Sequence, residues 1–131
     1  MTVGLATADL ANKMLDLIST ASQSGYSTPH LALHTGDPGA AGASNASAET
    51  ARMAVTFGAA SGGSKAATGS PVAEWTAWDV GTETISHLSI WSAASAGTFI
   101  ASVALTTPRQ VDDTDTFRVT ALSISQAPLA A

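Results

Sequence analysis

Residues 58–65, GAASGGSK, come close to the composition of a phosphate-binding loop. Such a loop needs a lysine directly after its second glycine, then a serine or threonine, then a helix whose N-terminus faces the phosphates. Here Ser64 takes the lysine's position and Lys65 comes one residue late, and the residues that follow include Gly69 and Pro71, which disfavour a helix. The stretch is therefore predicted to be a flexible connection between two strands, and no cofactor is assigned to it.

Two histidines and a carboxylate, His30, His34 and Asp37, are the residues closest to a metal-ligand pattern. On an extended strand His30 and His34 point to the same face, but they lie about 13 Å apart at roughly 3.3 Å per residue. That distance is too long for one ion held by bonds of about 2.0–2.2 Å. Only a bend in the chain would bring the two rings together, so no metal site is assigned.

Three carboxylates, Asp112, Asp113 and Asp115, lie close together in a threonine-rich turn. Acids in such turns commonly solvate a loop or accept backbone N–H groups, and the spacing lacks the glycine and the distal glutamate of a helix-loop-helix calcium site. No G-x-S-x-G or H-E-x-x-H motif occurs. An enzyme would need two of these acids, or of the histidines His30, His34 and His87, to converge in a cleft. The chain is predicted not to be an enzyme, and no catalytic residue is assigned.

The three tryptophans raise the alternative of a carbohydrate platform. Trp75 and Trp78 are separated by an odd number of positions, so on one regular strand they would face opposite sides. The sequence favours one or two tryptophans in the core and one at a subunit contact, where aromatic residues are enriched. The platform would require Trp75 and Trp78 to be exposed.

The composition favours a structural part. The chain has 131 residues, of which 45% are hydrophobic and only 11% charged, well below the quarter that is typical of soluble domains. The net charge is −5, the five cationic residues never form a basic run, and no cysteine is present. These features argue against nucleic-acid binding, and no apolar run is long enough for membrane insertion.

One helix is predicted at about residues 7–20, because Leu10, Met14 and Leu17 fall on one apolar stripe. The stripe would pack either on its own domain or on a neighbouring subunit. After the helix the hydrophobic pattern changes to a period of two residues, which predicts strands at 30–35, 51–57, 71–78, 84–91, 98–105 and 116–125.

Loops are predicted at 36–47, 93–97 and 106–115, and a bulge is predicted near Ala121, where the last strand changes parity. The whole chain, 1–131, is predicted to form one domain. The fold class is mainly β: an antiparallel β-sandwich or barrel-like domain, about 28–126, with one N-terminal α-helix.

The ordered segments LANKMLDLI, HLALHTGDPGAAG, ARMAVTFGAASGGS, ISHLSIWSAASAGTFIASVALTTPRQV and TFRVTALSIS resemble a family of small bacteriophage virion structural proteins. Members are described as tail fibre, minor tail or head-decoration proteins, and the resemblance covers nearly the whole chain. Members tend to carry a tyrosine ahead of the second block's arginine, where Thr50-Ala51-Arg52 stands here. They also tend to have a glycine-aspartate turn before the last strand, where this chain has Thr114-Asp115.

The resemblance implies a non-enzymatic structural subunit on the exterior of the virion, assembled in the host cytoplasm. A tail-fibre or minor-tail protein is favoured, with capsid decoration as the alternative and a receptor- or carbohydrate-binding module as a further alternative. The expected partners are further copies of the chain in a trimer, other phage tail or capsid proteins, and a host surface glycan under the further alternative. Interface residues are expected on the helix stripe and on outer strand faces: Leu10, Met14, Leu17, Ile85, Trp91 and Ile100.

Overall fold

The computed structural model describes residues 3–6, 11–18 and 25–126. Within these ranges the chain forms ten strands and one short helix, and the predicted mainly-β fold is confirmed. In chain order the elements are β1 (Gly4–Leu5), α1 (Asn12–Asp16), β2 (His30–His34), β3 (Met53–Ala54), β4 (Thr56–Phe57), β5 (Ser64–Thr68), β6 (Ala73–Trp75), β7 (Glu83–Trp91), β8 (Phe99–Val111), β9 (Phe117–Val119) and β10 (Ser123–Ser125).

The strands form three antiparallel sheets that share one hydrophobic core. The largest sheet has the order β1-β8-β7-β2-β3, the second is β10-β5-β4, and the third is the pair β6-β9. Residues of all three sheets pack into the core or against it, for example Leu88 from β7, Trp75 from β6 and Ile124 from β10. The architecture is sandwich-like and does not close into a barrel.

The strand β7 lies in the middle of the large sheet and is covered on both faces. Leu88, Ser89 and Ile90 are consecutive and all buried, so the predicted alternation between a buried and an exposed face does not hold here. The second face is covered by the loop at 36–47, whose Ser44 carbonyl binds the side chain of His34 and whose Gly42 contacts the ring of Phe99. A loop of turn-forming residues thus acts as part of a second layer.

The strand β8 runs past the predicted loop start at 106 and reaches Val111. Ile85 pairs with Arg109 and His87 pairs with Ala104, so the four residues 105–108 face Ser86 alone. This wide bulge accommodates Pro108, which has no N–H to give to a ladder. The proline therefore interrupts the pairing without ending the strand.

The prediction that Ile85 and Ile100 lie on an outer face of this sheet is wrong. Both lie in the core, with 0% and 3% of their surface exposed. A register shift between Ile90 and Trp91 leaves Ile100 as an extra residue of β8, since Ile90 pairs with Ala101 and Trp91 pairs with Phe99. An extra residue reverses the side-chain parity of a strand, and Ile100 and Ala101 are consequently both buried.

The strand predicted at 51–57 is divided in two by Val55. Its side chain is buried, and its N–H donates to the carbonyl of Pro29 at 2.9 Å. Before this point β3 pairs with β2, and after it β4 pairs with β5, so the chain passes from one sheet to another at Val55. The strand β5 is absent from the sequence prediction because its residues, SKAAT, carry almost no hydrophobic pattern.

The predicted bulge near Ala121 is instead a break between two strands, where the chain crosses from one sheet to another. β9 pairs with β6, whereas β10 pairs with β5. Phe117 and Val119 are buried, and after the crossing Leu122 is buried and Ile124 packs against the core. The parity change seen in the sequence therefore marks the point where the chain exchanges one partner strand for another.

The turn before β9 holds a backbone conformation that a β-branched residue rarely adopts. Thr114 has a φ of +74°, and its N–H donates to the carbonyl of Trp78 at 2.7 Å. This is the position at which the resembled proteins tend to have glycine. Thr114→Gly is expected to raise the free energy of unfolding by about 0.5–1 kcal/mol. The left-handed conformation costs a residue with a Cβ about 1–2 kcal/mol, and glycine removes this cost. Part of the gain is lost because glycine has more conformational freedom in the unfolded chain.

Urea unfolding followed by tryptophan fluorescence measures the effect of Thr114→Gly. Thr116→Gly, two residues further on, is the control and should destabilise the protein. A Thr114→Gly variant less stable than the parent would contradict the assigned conformation.

Candidate interaction surface

The glycine-rich stretch 58–65 is a turn between β4 and β5, as predicted. Gly62 and Gly63 have positive φ values of 57° and 76°, and the strand begins at Ser64. The ammonium of Lys65 donates to the carbonyl of Gly58 at 2.8 Å, which ties the two ends of the turn together. A strand follows where a phosphate loop needs a helix, so the turn does not have the architecture of a nucleotide site.

The three residues closest to a metal-ligand pattern, His30, His34 and Asp37, bind different partners. The ring of His30 binds the carbonyl of Thr28, whereas a carboxylate oxygen of Asp37 accepts the N–H of Gly39. His34 turns its ring toward Ser44 and Ser89. In the part of the chain that the structure describes, no group of three histidine, aspartate or glutamate side chains is placed to hold a metal ion.

His34 belongs to a buried hydrogen-bond chain that joins two strands to the covering loop. Its Nδ1 lies 2.9 Å from the carbonyl of Ser44, and its Nε2 lies 2.7 Å from the hydroxyl of Ser89. A carbonyl only accepts, so Nδ1 carries the proton and Nε2 accepts from Ser89. The indole N–H of Trp91 donates to the same hydroxyl at 2.7 Å.

This serine–histidine contact has the distance of a catalytic pair but not its surroundings. A nucleophilic serine must be reachable by substrate, whereas Ser89 is fully buried. The second nitrogen of the histidine meets a backbone carbonyl, where a triad places a carboxylate. The chain Trp91–Ser89–His34–Ser44 therefore holds the loop at 36–47 against the sheet.

The environment of His34 makes the protein sensitive to acid. Burial lowers the pKa of His34 from 6.5, and the nearby charges of His87 and Arg52 act in the same direction, while backbone hydrogen bonds to Ser44 and Asn45 oppose them. A histidine whose folded-state pKa is depressed binds fewer protons when folded than when unfolded as the pH falls below about 6.5. The unfolded chain takes up the proton more readily, so the folded protein becomes less stable as the pH falls.

We expect the free energy of unfolding to decrease from pH 7 to pH 5 with a contribution from His34 of at most about 1.4 kcal/mol per pH unit. His34→Gln should lose about 1–3 kcal/mol at pH 7, because buried partners are left unpaired, and should show a shallower pH dependence. Urea titrations at pH 5, 6 and 7 measure both effects. If the free energy of unfolding of His34→Gln depended on pH as steeply as that of the parent, His34 would be excluded as the source of the acid sensitivity.

The three aspartates organise a turn. Asp113 accepts the N–H of Gly81, Asp112 accepts the hydroxyl of Thr82, and a carboxylate oxygen of Asp115 accepts the N–H of Asp112. Asp115 thus bonds within the turn, whereas Asp112 and Asp113 tie the turn to residues 81–82 before β7. Of the residues proposed for an enzyme, only His34 and His87 are cross-strand partners, and His34 is buried.

The tryptophans do not form the proposed carbohydrate platform. Trp75 and Trp78 are each 1% exposed, because β6 ends at Trp75 and the positive φ of Ala77, 54°, turns Trp78 inward. Their indole N–H groups donate to the carbonyls of Ala51 and Gly81.

Trp91 is half-buried and carries a cation over its ring. The guanidinium of Arg52 lies 4.1 Å from the ring centroid, and its Nη1 donates to the carbonyls of Ala93 and Ala96. The loop at 92–97 is thereby fixed over the end of the sheet. Trp91 remains a predicted interface residue, and its ring edge lines a small depression beside His34.

The helix α1 carries the exposed apolar surface. The exposed large hydrophobic residues of the described part of the chain are Leu15, Leu17 and Ile18, with 64%, 61% and 82% of their surface exposed. The two ends of the predicted helix, 7–10 and 19–20, lie outside the described residues. Leu10 of the predicted stripe is among them. Met14 is half-buried.

Met14 and Leu17 border an apolar groove of about 410 Å³ between α1 and the sheets, floored by Phe57, Ile90, Ile100 and Ile124 among others. The helix is attached to the rim of this groove through Lys13, whose ammonium lies 3.4 Å from the hydroxyl of Tyr26 and 4.7 Å from the centroid of its ring. No helix in the described ranges combines the length and apolarity that crossing a bilayer requires.

A second cleft, of about 540 Å³, lies between the bulge of β8 and the segment 115–121 that contains β9. Its lining includes four threonines and two arginines, Arg109 and Arg118. Sequence reasoning missed this cleft, because it depends on which strands pair and which edges stay open. The bulge-forming TTP at 106–108 was the available signal, and it was interpreted as a loop.

Comparison with known proteins identifies the family of the chain. No curated protein matches the chain. The family described as podophage GP4 fiber I protein gp80 matches residues 6–127, which is nearly the whole chain. The chain therefore belongs to the podophage GP4 fiber I protein gp80 family and is a bacteriophage tail-fibre-type structural protein.

Proposed function

We propose that the chain is a non-enzymatic subunit of a tail fibre on the exterior of the virion, assembled in the host cytoplasm, and that copies associate through the helix α1. The family membership supports the fibre class. The observation that carries self-association is the exposure of Leu15, Leu17 and Ile18 on and directly after one short helix.

A five-residue helix is too short to be stable by itself in water, since isolated helices below about 12–15 residues are marginal. Covering Leu17 and Ile18 with a partner would remove apolar surface from water at about 1.5–3 kcal/mol for each fully buried side chain. The apolar groove beside Met14 and Leu17 continues this surface into the body of the protein. Association would therefore stabilise both the helix and its position.

The low charge of the chain supports the same function. Only 11% of its residues are charged, and interface cores are depleted in charged residues relative to free surfaces. A closed rotational assembly, a trimer, satisfies identical contacts in every copy without open-ended growth.

The mass of the purified chain at micromolar concentration tests this proposal. Light scattering coupled to size exclusion should give a trimer, and Ile18→Asp should give a folded monomer because a charge cannot be buried there without a partner. Ala94→Asp, which adds the same charge to the exposed loop at 92–97, is the matched control and should remain trimeric. A monomeric parent chain would overturn self-association through α1.

Placement on the particle is a separate question with a separate experiment. Imaging of virions that carry a label at the C-terminus of the chain should show density on the tail. Label distributed over the shell would instead favour capsid decoration and would overturn the fibre placement.

A further inference from the structure

The strand β9 has one edge without a partner strand in the described structure. It pairs with β6 alone, and the two form a sheet of only two strands. Such a ribbon is marginal by itself, and a third strand is usually needed for independent stability. Here the buried side chains of Phe117 and Val119 hold the ribbon to the core, while its second edge stays open.

That open edge faces the cleft between β8 and β9. All seven consecutive residues of 115–121 line the cleft. Successive side chains of a strand point to opposite faces. The cleft is lined by the buried Phe117 and Val119 from one face and by the exposed Arg118 from the other. It therefore runs along the edge of the strand. The cleft therefore presents backbone N–H and C=O groups.

The opposite wall is the bulge of β8. On the side of β8 away from β7, the strand β1 covers only Ala101 and Ser102. Residues 105–108 of the bulge have no one-to-one partners on β7, and Thr106, Thr107 and Arg109 line the cleft from this side. An entering segment would gain main-chain hydrogen bonds from β9 and side-chain contacts from the bulge.

The charges of the cleft indicate the chemistry of the entering segment. Two of the five cationic residues of the chain line it. Arg118 is engaged by Glu74 on β6, whereas the guanidinium of Arg109 has neither a hydrogen bond nor an ion pair with another described residue. The acid among the lining residues is Asp115, and it already accepts the N–H of Asp112. A cation without a side-chain partner among the described residues, in a chain of net charge −5, is complementary to an acidic side chain.

We propose that the cleft binds an extended acidic segment of another virion protein, which adds as a third strand to the free edge of β9 with a carboxylate opposite Arg109. This is strand addition, in which backbone hydrogen bonds provide affinity and alternate side chains provide specificity. Threonines at 106, 107, 116 and 120 suit such a site, since β-branched residues favour extended pairing. The inference is independent of self-association through α1.

The probe for this site is a blocked peptide of about seven residues, a common strand length, that alternates threonine and valine around a central aspartate. Titration into the isotopically labelled full chain should shift the amide signals of 116–121 and of 105–110. A peptide of the same sequence that is N-methylated along one edge should not bind, because it lacks the backbone donors. Replacing its aspartate with lysine should weaken binding at least about fivefold.

Arg109→Glu should reverse the preference between the aspartate and lysine peptides. Lys65→Glu, which makes the same change of charge on β5, is the matched control and should not alter peptide binding. Ile18→Asp disrupts the proposed assembly through α1 and should not alter peptide binding either. The proposal is overturned if no peptide binds at millimolar concentration, if N-methylation has no effect, or if the shifts lie elsewhere. Concentration-dependent shifts of 116–121 without peptide would identify a second copy as the occupant and would overturn the proposed partner.

Discussion

Trp75→Ala is expected to lower the free energy of unfolding by about 3–5 kcal/mol, the range for removing a large aromatic side chain from a core. Trp75 is 1% exposed, and its ring meets that of Phe117 edge to face with centroids 5.8 Å apart. Its indole N–H also donates to the carbonyl of Ala51 at 2.8 Å, which links β6 to the segment before β3. The variant therefore loses packing, an aromatic pair and a hydrogen bond together.

Urea unfolding at a fixed protein concentration measures this loss, with Trp78 and Trp91 as fluorescent reporters. Trp75→Phe keeps a ring against Phe117 and loses the indole hydrogen bond, so its loss should be smaller. The exposed neighbour Thr76→Ala should stay within about 0.5 kcal/mol of the parent. A loss below about 1 kcal/mol for Trp75→Ala would mean that Trp75 is exposed, as a carbohydrate platform requires.

Gly42→Ala is expected to lower the free energy of unfolding by about 2–5 kcal/mol, through two separate effects. Its φ of +72° is strained for any residue with a Cβ, at about 1–2 kcal/mol. A Cβ at this position would also lie 2.3 Å from Cδ2 of Phe99, inside the ring's van der Waals surface, and overpacking adds about 1–3 kcal/mol. Phe99 cannot simply withdraw, because its ring packs against that of Trp91 with centroids 5.6 Å apart.

Gly62→Ala is the matched control for the steric part of this effect. Gly62 has a similar φ of +57°, but a Cβ there would have nothing within 4 Å. Its cost should be limited to about 1–2 kcal/mol. In the double variant Gly42→Ala/Phe99→Ala the new Cβ no longer meets the ring, so the overpacking cost should disappear. The losses of stability from the two changes should therefore be less than additive. Equal costs at both glycines would show that the loop at 36–47 does not pack on Phe99.

Local pattern was sufficient where a strand has one buried face or a clear alternation. The strands β2 and β7 lie within a residue of their predicted limits, since their apolar residues recur with a period of two. The parity change near Ala121 was also legible in the sequence, because hydrophobic residues follow the face that meets the core. The identity of the family was likewise accessible from ordered blocks of residues that the family match then confirmed.

Local pattern was insufficient where a strand depends on distant partners. The segment SKAAT has no hydrophobic periodicity, and it becomes β5 only because β4 and β10 pair with it from both sides. The segment 106–115, which includes Pro108, was predicted as a loop, whereas β8 continues to Val111 and a four-residue bulge opposite Ser86 accommodates the proline. Ile100 was placed outside because parity was counted along an unbroken strand.

The candidate surfaces divide in the same way. An apolar association surface on the helix could be predicted from the spacing of Met14 and Leu17, whereas the exposure of Leu15, Leu17 and Ile18 is what the structure adds. The cleft beside β9 could not be predicted, because an open strand edge is defined by the absence of a neighbour, and neighbours are chosen by the whole fold.

By itself the sequence determined a charge-poor, mainly β chain, since composition and hydrophobic period are properties of consecutive residues. Only the tertiary structure decided that the loop at 36–47 covers the sheet and that Ile85 and Ile100 lie inside. It also decided that, among the described residues, β9 has no strand on its edge beside Arg109. The physical reason is that side-chain direction reverses with every extra residue in a strand, and the bulges that add those residues are set by pairing between segments far apart in the chain.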